Sequence, residues 1–378
     1  MEPVKKVKLA VVVLLGVMML FVLGGCDAEE AGSPADEVPT INVSYIMTNH
    51  HTPLVAALKD AGNASGEEGV AYIEELTPRQ RYELYDGEEL VATLNLIESQ
   101  SGAESATMFA QENIDIGLAS STAMLNGIDK GTNIKIVSPL QNEGIAVVFP
   151  EGSGVQGWEE FEGYVEESSD PVRLGYHSPT SAPKILIESA LHEMDYTLTH
   201  DVQDQDADIL LVDLKNTSNL VPSLSSGQVE AMVAPDPTPA VAEEEGVGEI
   251  AFQVRDMPPN DKWKDSPCCV TAARDEIIEE YSREMEVFME VLDYYCEWSN
   301  DNMIEAADLT AEFMGISQEA AREAAMSYSV HPTDRWENSM EIYMDTLDDM
   351  GMFENELNDE NYEDARDLMY DFSFIPSQ

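Results

Sequence analysis

The sequence predicts an α/β protein with two lobes. Apolar strand-like stretches alternate with helical patterns along most of the 378 residues, an order that is typical of βα units around a largely parallel sheet. A second series of these units, after residue 172, repeats the order of strand, polar loop and helix without a fixed period. A chain of this length can bury a sizeable core in each lobe.

The charge balance is strongly acidic, with 19 basic against 74 acidic residues and a formal charge of -55. Phosphate backbones would be repelled, so we expect no nucleic-acid partner. The acidic residues are spread along the chain instead of forming one tail. Such a surface suits concentrated salt, where screening removes most of the self-repulsion. We therefore expect adaptation to a salt-rich environment.

The N-terminus has the pattern of an export signal over residues 1–26. A lysine-rich segment, residues 5–8, precedes a short apolar run that ends in Leu23-Gly-Gly-Cys26. The run is short for a membrane span, and its end resembles the lipobox of prokaryotic lipoproteins. We expect cleavage before Cys26 and lipidation of that cysteine. The alternative is an uncleaved anchor helix, which would hold the protein at the same outer face of the membrane. Residues 27–39 have the composition of an acidic, solvated tether.

The first lobe is predicted over residues 40–145. Its strand-like stretches are Ile41–Ile46, Val91–Ile97 and the apolar run that begins at Asn113. Its helical patterns are the one opened by Pro53, which suits a first helical turn, and those over Ala103–Gln111 and Ala123–Ile128. Residues 61–88 are rich in glycine and charge, which favours a surface insertion with one short helix.

The second lobe is predicted over residues 146–254. Two predicted strands, Asn133–Val137 and Gly144–Phe149, connect the first lobe to the second. The lobe then has strand patterns at Val172–Tyr176, Ile209–Asp213 and Val229–Ala234, with helices after Pro183 and over Asn219–Ser226. Stretches at Ile250–Val254 and Cys268–Ala273 bring the chain back, so residues 255–378 return to the first lobe. From Asp275 onward apolar residues recur at intervals of three and four, which predicts a long amphipathic helix and further acidic helices packed on the first lobe.

Small hydroxyl residues stand where the strand after Asn113 ends, at Ser120, Ser121 and Thr122. A helical pattern begins directly after them, so the free N–H groups of its first turn can hold a small anion or polar ligand. Short hydroxyls also donate hydrogen bonds without filling the space that a ligand needs. The alternative is that each hydroxyl only caps its own helix.

Five stretches carry a family resemblance in their order along the chain: Val43–Ala56, Glu98–Gly102, Asn113–Ser120, Gly227–Val233 and Ser266–Val270. Together with the signal pattern they resemble the solute-binding lipoproteins of ABC importers. Within these, the chain is similar to the group of nitrate, alkylsulfonate, taurine and pyrimidine-precursor binding proteins. The resemblance covers most of residues 41–300. It implies a type II periplasmic-binding-protein fold with two crossover strands.

The resemblance also implies a function. The protein would be a lipid-anchored monomer on the extracytoplasmic face of the cell membrane. It would close its lobes around a small polar or anionic organic solute, similar to a sulfonate, taurine or nitrate, and deliver it to an ABC permease and its ATPase. Alternatives are a binding protein for a thiamine pyrimidine precursor, a related pyrimidine-synthase-like enzyme, and a sensor domain without a transporter.

In this family the ligand lies between the lobes, on loops that follow strands and on helix starts. Carried over by position, the ligand-binding residues are Tyr45, Thr48, Asn49, His50, His51, Ser101, Gly102, Ser120, Ser121, Thr122, His177, Ser178, Thr180, Ser181 and Asp236. Asp236 departs from the family, whose second-lobe strand often leads to an aromatic residue followed by proline. A carboxylate there would disfavour a strongly anionic ligand or bind the amine of a zwitterion.

Three histidines, His50, His51 and His177, fall on loops predicted to face one cleft and could bind a ligand or a metal. Adjacent histidines point apart, and no carboxylate or cysteine stands at metal-ligand spacing beside them. We therefore expect no metal site and no cofactor.

Three cysteines remain if Cys26 is lipidated: Cys268, Cys269 and Cys296. Neighbours in a strand point to opposite faces, so Cys296 could pair with one of the other two. The alternative is three small buried apolar side chains.

An enzyme is the rival class. The pyrimidine synthases of thiamine biosynthesis share the fold that the resemblance implies, and His50 or His51 lies near the position of their reactive histidine. Those enzymes are intracellular and have a cysteine-rich cluster, whereas this chain has an export signal and only Cys268-Cys269. No Gly-x-Ser-x-Gly, P-loop or zinc-hydrolase helix motif appears. We therefore expect a binding protein and no catalysis.

Overall fold

The computed structural model describes residues 38–259, 261–324 and 326–377. The predicted signal segment, Cys26 and the tether up to residue 37 lie outside the described residues. The strands, in chain order, are β1 (Thr40–Ile46), β2 (Ala71–Thr77), β3 (Arg81–Asp86), β4 (Glu89–Ser99), β5 (Ile116–Ser120), β6 (Ile134–Glu143), β7 (Ile145–Pro150), β8 (Val172–Tyr176), β9 (Leu198–Thr199), β10 (Ile209–Asp213), β11 (Ala231–Pro235), β12 (Gly248–Gln253), β13 (Pro267–Arg274) and β14 (Met326–Tyr328).

The α-helices are α1 (Thr52–Leu58), α2 (Gly102–Ala110), α3 (Ser121–Asp129), α4 (Trp158–Glu167), α5 (Ala182–Glu193), α6 (Leu220–Ser225), α7 (Thr238–Glu244), α8 (Asp275–Glu280), α9 (Ser282–Asp301), α10 (Met303–Met314), α11 (Gln318–Arg322), α12 (Asp334–Asp349) and α13 (Tyr362–Met369). Every helix within the described ranges is too short or too polar to span a bilayer.

Two mixed sheets organise the chain. The first has the order β14-β6-β13-β5-β1-β4-β3-β2, and the second has the order β12-β7-β11-β8-β10-β9. In the first sheet β1 runs parallel to β4 and β5, and in the second β8 runs parallel to β10 and β11. The α/β fold with two lobes, predicted from the alternating pattern, is confirmed.

The central strands are buried on both faces because helices cover the sheet on either side. All five residues of β5 are buried, which explains its continuous run of apolar and small residues. Strand β5 ends at Ser120 and α3 begins at the next residue. The polar residues that follow the strands therefore lie at the carboxyl edge of the sheet, where ligands bind in open α/β folds.

The region of residues 61–88 differs from the prediction. It forms the antiparallel hairpin of β2 and β3 at the edge of the first sheet, with only a single 3-10 turn over Ala64–Gly66. Tyr82 and Leu84 of β3 are buried, and charged residues alternate with them. The expected short helix is this 3-10 turn, whereas the hairpin was missed because its period of two, typical of a half-buried strand, was hidden among the many charges.

The two connections between the sheets differ in length. The first is Gly144 alone, between β6 and β7, and it has a φ of 64°, a conformation that favours glycine. The second comprises residues 254–266, between β12 and β13. Glu143 joins the two, since its carboxylate accepts a hydrogen bond from the Asp265 N–H at 3.0 Å and forms an ion pair with Arg255.

The C-terminal helices also differ in part from the prediction. The long amphipathic helix is two helices, α8 and α9, separated at Tyr281. The helices contact both lobes and not the first lobe alone. Thr346 of α12 shares a 2.9 Å hydrogen bond with Ser189 of α5, and Ser317 donates to Glu244 of α7 at 2.7 Å. The residues after β13 therefore bridge the outer surfaces of the two lobes.

A buried carboxylate fixes the loop between α12 and α13. Asp129, at the end of α3, is fully buried. Its carboxylate oxygens accept hydrogen bonds from the backbone N–H groups of Glu354, Asn355 and Leu357 at 3.1, 3.0 and 3.1 Å. This contact attaches the C-terminal segment to the helix that follows Ser120.

Candidate functional site

A cavity of about 70 Å³ lies between the lobes, at the carboxyl edges of both sheets. From the first lobe it is lined by residues that follow β1, β4 and β5 and by the start of β13. From the second lobe it is lined by residues that follow β8, β10 and β11. This is the place at which the fold brings strand ends from two lobes together.

The loop after β1 contributes Thr48 and His50 to the cavity. The Thr48 hydroxyl caps the short 3-10 helix Asn49–His51 by accepting from the His50 N–H at 3.3 Å. The same hydroxyl donates to the carbonyl oxygen of Asp236 in the second lobe at 2.9 Å. Thr48 therefore links the lobes as well as shaping its own loop.

The start of α2 contributes Ser101 and Gly102. Ser101 is the N-cap of this helix, and its hydroxyl accepts from the Glu104 N–H at 3.2 Å. A Cβ on Gly102 would lie 2.8 Å from the Cβ of Ser120 and 2.9 Å from that of Ala123. Glycine is required here because α2 and α3 approach each other so closely beside the cavity.

Two hydroxyls at the end of β5 and the start of α3, those of Ser120 and Thr122, bind the other lobe and not their own helix. Ser120 Oγ accepts from the N–H of Ala182 at 3.1 Å, and Thr122 Oγ1 donates to the carbonyl oxygen of Thr180 at 2.8 Å. The two hydroxyls are 3.0 Å apart. Neither serves as a side-chain cap for α3. The lobes are therefore held in a closed arrangement by direct hydrogen bonds at the cleft.

The second lobe contributes His177, Ser178, Thr180 and Ser181, which lie between β8 and α5. Ser181 donates to the Ser178 carbonyl oxygen at 2.8 Å. The Nδ1 atom of His177 is buried and has no hydrogen-bond partner within the described residues. Burial, reinforced by nearby His50, lowers the pKa of His177 to about 4, so its ring is neutral at pH 7.

Five predicted residues do not line this cavity. Tyr45 is buried and its ring packs 5.9 Å from that of Phe313, because the alternation of β1 directs it to the core. Asn49 lines a different cavity, beside α10 and α11. His51 is buried, and its Nδ1 accepts from the Ile46 N–H at 3.1 Å.

The remaining two of these five, Ser121 and Thr122, are fully buried. Ser121 donates to the Pro267 carbonyl oxygen at 3.3 Å, while Thr122 joins the lobes. The structure brings the other ten predicted residues together around the cavity: Thr48, His50, Ser101, Gly102, Ser120, His177, Ser178, Thr180, Ser181 and Asp236.

Two thiols adjoin His50 in the cavity wall. His50 Nδ1 lies 3.3 Å from Cys268 Sγ and 3.8 Å from Cys269 Sγ, and all three residues are buried. The neighbouring Cys269 thiol and burial raise the pKa of Cys268 well above its ordinary value. Cys296 is a free buried thiol on α9. The three cysteines are unpaired, so neither thiol of β13 forms a disulfide with Cys296.

Several lining residues were missed from the sequence. Gln100, Thr217, Thr238 and the two cysteines of β13 line the cavity. Thr217 and Thr238 follow β10 and β11, so the rule that selected the hydroxyls after β5 would have found them. The contact between His50 and Cys268 spans 218 positions, and no local spacing signals it.

The cavity has an unusual charge for an anion site. Among the described residues that line it there is no lysine or arginine, and Asp236 is the acidic one. Asp236 is 3% exposed. A ligand that carries only negative charge would therefore meet a carboxylate and no cationic side chain among these lining residues. The charge of Asp236 also acts on Arg255, outside the lining, and helps to raise the pKa of that guanidinium.

A model of the NMT1-like family matches residues 34–314. Among solved structures, the ligand-binding component of an ABC-type import system from Staphylococcus aureus with zinc bound is 15% identical, with a TM-score of 0.66 over 89% of this chain and 97% of that chain. The alkanesulfonate-binding protein of Xanthomonas axonopodis pv. citri, bound to MOPS, is 12% identical, with a TM-score of 0.62 over 85% and 96% of the two chains. The nitrate-binding protein of Synechocystis is 13% identical, with a TM-score of 0.62 over 89% and 87%.

At these identities the structural likeness shows the fold, and the fold is the one that the motifs predict. The resemblance to nitrate and sulfonate binding proteins is confirmed at the level of family and fold. The matched residues run from before β1 to the end of α10, which is well over half of the chain. The chain therefore belongs to the NMT1-like family and has the periplasmic-binding-protein fold.

Proposed function

We propose that this protein is the solute-binding component of an ABC import system. The observation that carries the proposal is the polar cavity between the lobes, bridged by the hydrogen bonds from Thr48 to Asp236 and from Thr122 to Thr180. A solute that binds polar groups of both lobes stabilises the closed form over the open one. The closed form then docks on a permease that an ATPase drives.

The structural neighbours support this assignment, since they include a ligand-binding component of an import system and binding proteins for an alkanesulfonate and for nitrate. The N-terminal sequence supports the location. Lipidation of Cys26 would hold the protein on the extracytoplasmic face, with residues 27–39 as the tether. The protein acts as a monomer in this proposal.

The size of the cavity restricts the solute. Its volume of about 70 Å³ is well below the roughly 150 Å³ of an engineered cavity that holds benzene. The closed form therefore suits a solute of few heavy atoms. A pyrimidine precursor requires a wider closed cavity.

The charge of the cavity restricts the solute further. Asp236 favours an amine, and the hydroxyls of Ser101, Ser120 and Ser178 offer hydrogen bonds to an acidic or neutral group. Among sulfonate-like, taurine-like and nitrate-like solutes, the cavity favours an amine-bearing zwitterion over a simple anion. We place taurine-like compounds first on this ground.

A thermal-shift screen of the full-length protein in concentrated salt tests the proposal. The solutes are sulfonates, taurine, nitrate, bicarbonate and aminopyrimidines. A ligand that binds only the folded state raises the melting temperature, and we expect the largest rise with an amine-bearing solute.

The matched variant in this screen is Asp236→Asn, which keeps the size of the side chain. It should reduce the response to zwitterions and leave or increase the response to simple anions. Melting temperatures that stay constant with every solute, in the wild type and the variant, would contradict a solute-binding role.

A further inference from the structure

We propose that His50, Cys268 and Cys269 form a binding site for one thiophilic metal ion of the Zn²⁺ class in the wall of the cleft. The three side chains come from the loop after β1 and from the start of β13, so all belong to the first lobe. The site therefore does not depend on lobe closure or on the proposed transport function. Hereafter these three residues are called the thiol–imidazole cluster.

The distances fit a tetrahedral ion. Zinc bonds of about 2.3 Å to sulfur and 2.0–2.1 Å to nitrogen place the sulfur and nitrogen ligands about 3.6 Å apart at a tetrahedral angle. In the cluster, His50 Nδ1 is 3.3 Å from one sulfur and 3.8 Å from the other. The three ligand atoms all lie within 4.8 Å of one another. An ion can therefore enter with shifts of a few tenths of an ångström.

A β-bulge brings both thiols to one histidine. Adjacent residues of a regular strand point to opposite faces, so Cys268 and Cys269 would ordinarily diverge. The pairing of β13 with β6 goes from Pro267 opposite Asn142 directly to Cys269 opposite Gln141, with Cys268 left out of the ladder. Bulges redirect side chains and are over-represented beside functional sites. This bulge brings both sulfur atoms within 4 Å of His50 Nδ1.

The second nitrogen of His50 supports the same assignment. Its Nε2 atom is buried and faces the backbone of Gly144. A histidine that binds a metal through one nitrogen ordinarily directs the other toward backbone or a carboxylate, which fixes the ring. With Nδ1 facing the sulfurs, the ring already has the orientation of a ligand.

The cluster also has an open coordination position. All three residues line the cavity, and His177 and Asp236 of the second lobe line it too. Three protein ligands and one position toward a cavity are the arrangement of zinc sites that exchange water for another ligand. A polar solute in the cavity, or a group from the second lobe, can occupy that position.

The chemistry of the ligands selects the ion. Two thiolates and an imidazole favour Zn²⁺ and Cu⁺ over Mg²⁺ and Ca²⁺, which prefer oxygen ligands. The many surface carboxylates of this chain would bind Mg²⁺ and Ca²⁺ only weakly. Competition with these ions can therefore separate binding at the surface from binding at the cluster. Binding at the cluster should persist in an excess of Mg²⁺.

Cobalt titration of the reduced full-length protein, freed of metal and kept in concentrated salt with excess Mg²⁺, tests the site. We expect one Co²⁺ per chain, with the charge-transfer absorption of cobalt bound to thiolate, and displacement by one equivalent of Zn²⁺. Cys268→Ser, Cys269→Ser and His50→Gln should each weaken binding by more than about 100-fold, the upper end of the effect of outer-shell substitutions. Cys296→Ser is the matched control, because it removes a buried thiol outside the cluster.

A second measurement needs no variant. Bound Zn²⁺ should slow alkylation of Cys268 and Cys269, followed for each cysteine by mass spectrometry, at metal concentrations that leave Cys296 unaffected. The inference is overturned if the wild type shows no thiolate absorption with Co²⁺. It is equally overturned if Cys296→Ser abolishes that absorption, or if Zn²⁺ leaves the alkylation rates of both β13 cysteines unchanged.

Discussion

Thr122 of the first lobe donates a hydrogen bond to the carbonyl oxygen of Thr180 in the second lobe, with 2.8 Å between the oxygen atoms. Ser120, two residues earlier, accepts from the Ala182 N–H across the same cleft. The end of a single strand therefore supplies two contacts that hold the lobes together. The closed arrangement depends on hydroxyl groups that would otherwise be available to a ligand.

Substitution of Thr122 by valine should favour the open form. The variant keeps the shape of the side chain and loses its hydrogen bond, which contributes about 1 kcal/mol, so the ratio of closed to open molecules should fall about fivefold. Small-angle X-ray scattering should show a larger radius of gyration. Thr107→Val is the control, since Thr107 is exposed and bonds only within α2. Equal radii for both variants and the wild type would contradict the prediction.

Removal of the Asp129 carboxylate should release the loop before α13. Asp129→Ala leaves three backbone N–H groups without their acceptor, and we expect the free energy of unfolding to fall by about 3 kcal/mol. Asp129→Asn should cost less, because its amide oxygen still accepts. Chemical unfolding measures both, and limited proteolysis should become faster within residues 351–361. Asp349→Ala, at an exposed position on α12, should change neither quantity.

The buried ion pair of α5 should show strong non-additivity. Lys184 and Glu188 form a salt bridge one helical turn apart, with side chains that are 2% and 6% exposed. Lys184→Met leaves a buried carboxylate without its cation and should cost about 3–5 kcal/mol, whereas Lys184→Met with Glu188→Leu should recover most of that loss. Denaturant unfolding of the single and double variants is the measurement. A double variant less stable than Lys184→Met would refute this account.

Acidification should destabilise the protein through His177. Its pKa is about 4 in the folded protein, lowered by burial and by His50 and partly opposed by Asp213, against about 6.5 in an unfolded chain. Because the unfolded chain binds the proton more readily, stability is complete above pH 6.5 and is lost as the pH falls toward 4. At pH 5 the loss should be about 2 kcal/mol. Unfolding of His177→Gln between pH 8 and 5 should therefore decline less steeply, and parallel curves would exclude this role.

Added salt should stabilise the fold. The formal charge is -55, and the Debye length shortens from about 10 Å at 0.1 M salt to about 3 Å at 1 M, which reduces repulsion between the acidic residues. We expect the free energy of unfolding to rise between 0.1 and 2 M KCl. Urea unfolding at each salt concentration measures it, since urea adds no charge. An unfolding curve that does not respond to salt would reject adaptation to a salt-rich environment.

Local periodicity was sufficient for most strands and helices. The buried strand before Ser120 and the helix opened by Pro53 were predicted because their apolar spacing is set by contacts within a few residues. The hairpin of residues 71–86 was missed, because its alternation of Tyr82 and Leu84 with charged residues resembles that of an exposed insertion.

Residue types at the site were predicted better than their partners. Ser120 lies at the cleft as expected, yet its hydroxyl bonds to the second lobe, which only the closed geometry specifies. The sequence argument against a metal considered neighbours along the chain, where His50 has no thiol. Cys268 reaches it through a bulge that depends on the pairing of β13 with β6. Register irregularities of this kind have no signal in a single sequence.

In the proposed closure of the lobes, the single-residue connection at Gly144 is a pivot. His50 approaches it from the first lobe, and the Asp236 N–H donates to its carbonyl oxygen from the second lobe at 2.9 Å. When the lobes rotate apart, the displacement of an atom increases with its distance from this pivot. Groups beside Gly144 therefore separate little. His50 and Asp236 would thus separate less than groups at the mouth of the cleft. A ligand held between them would lie at the hinge end of the cleft, farthest from the mouth.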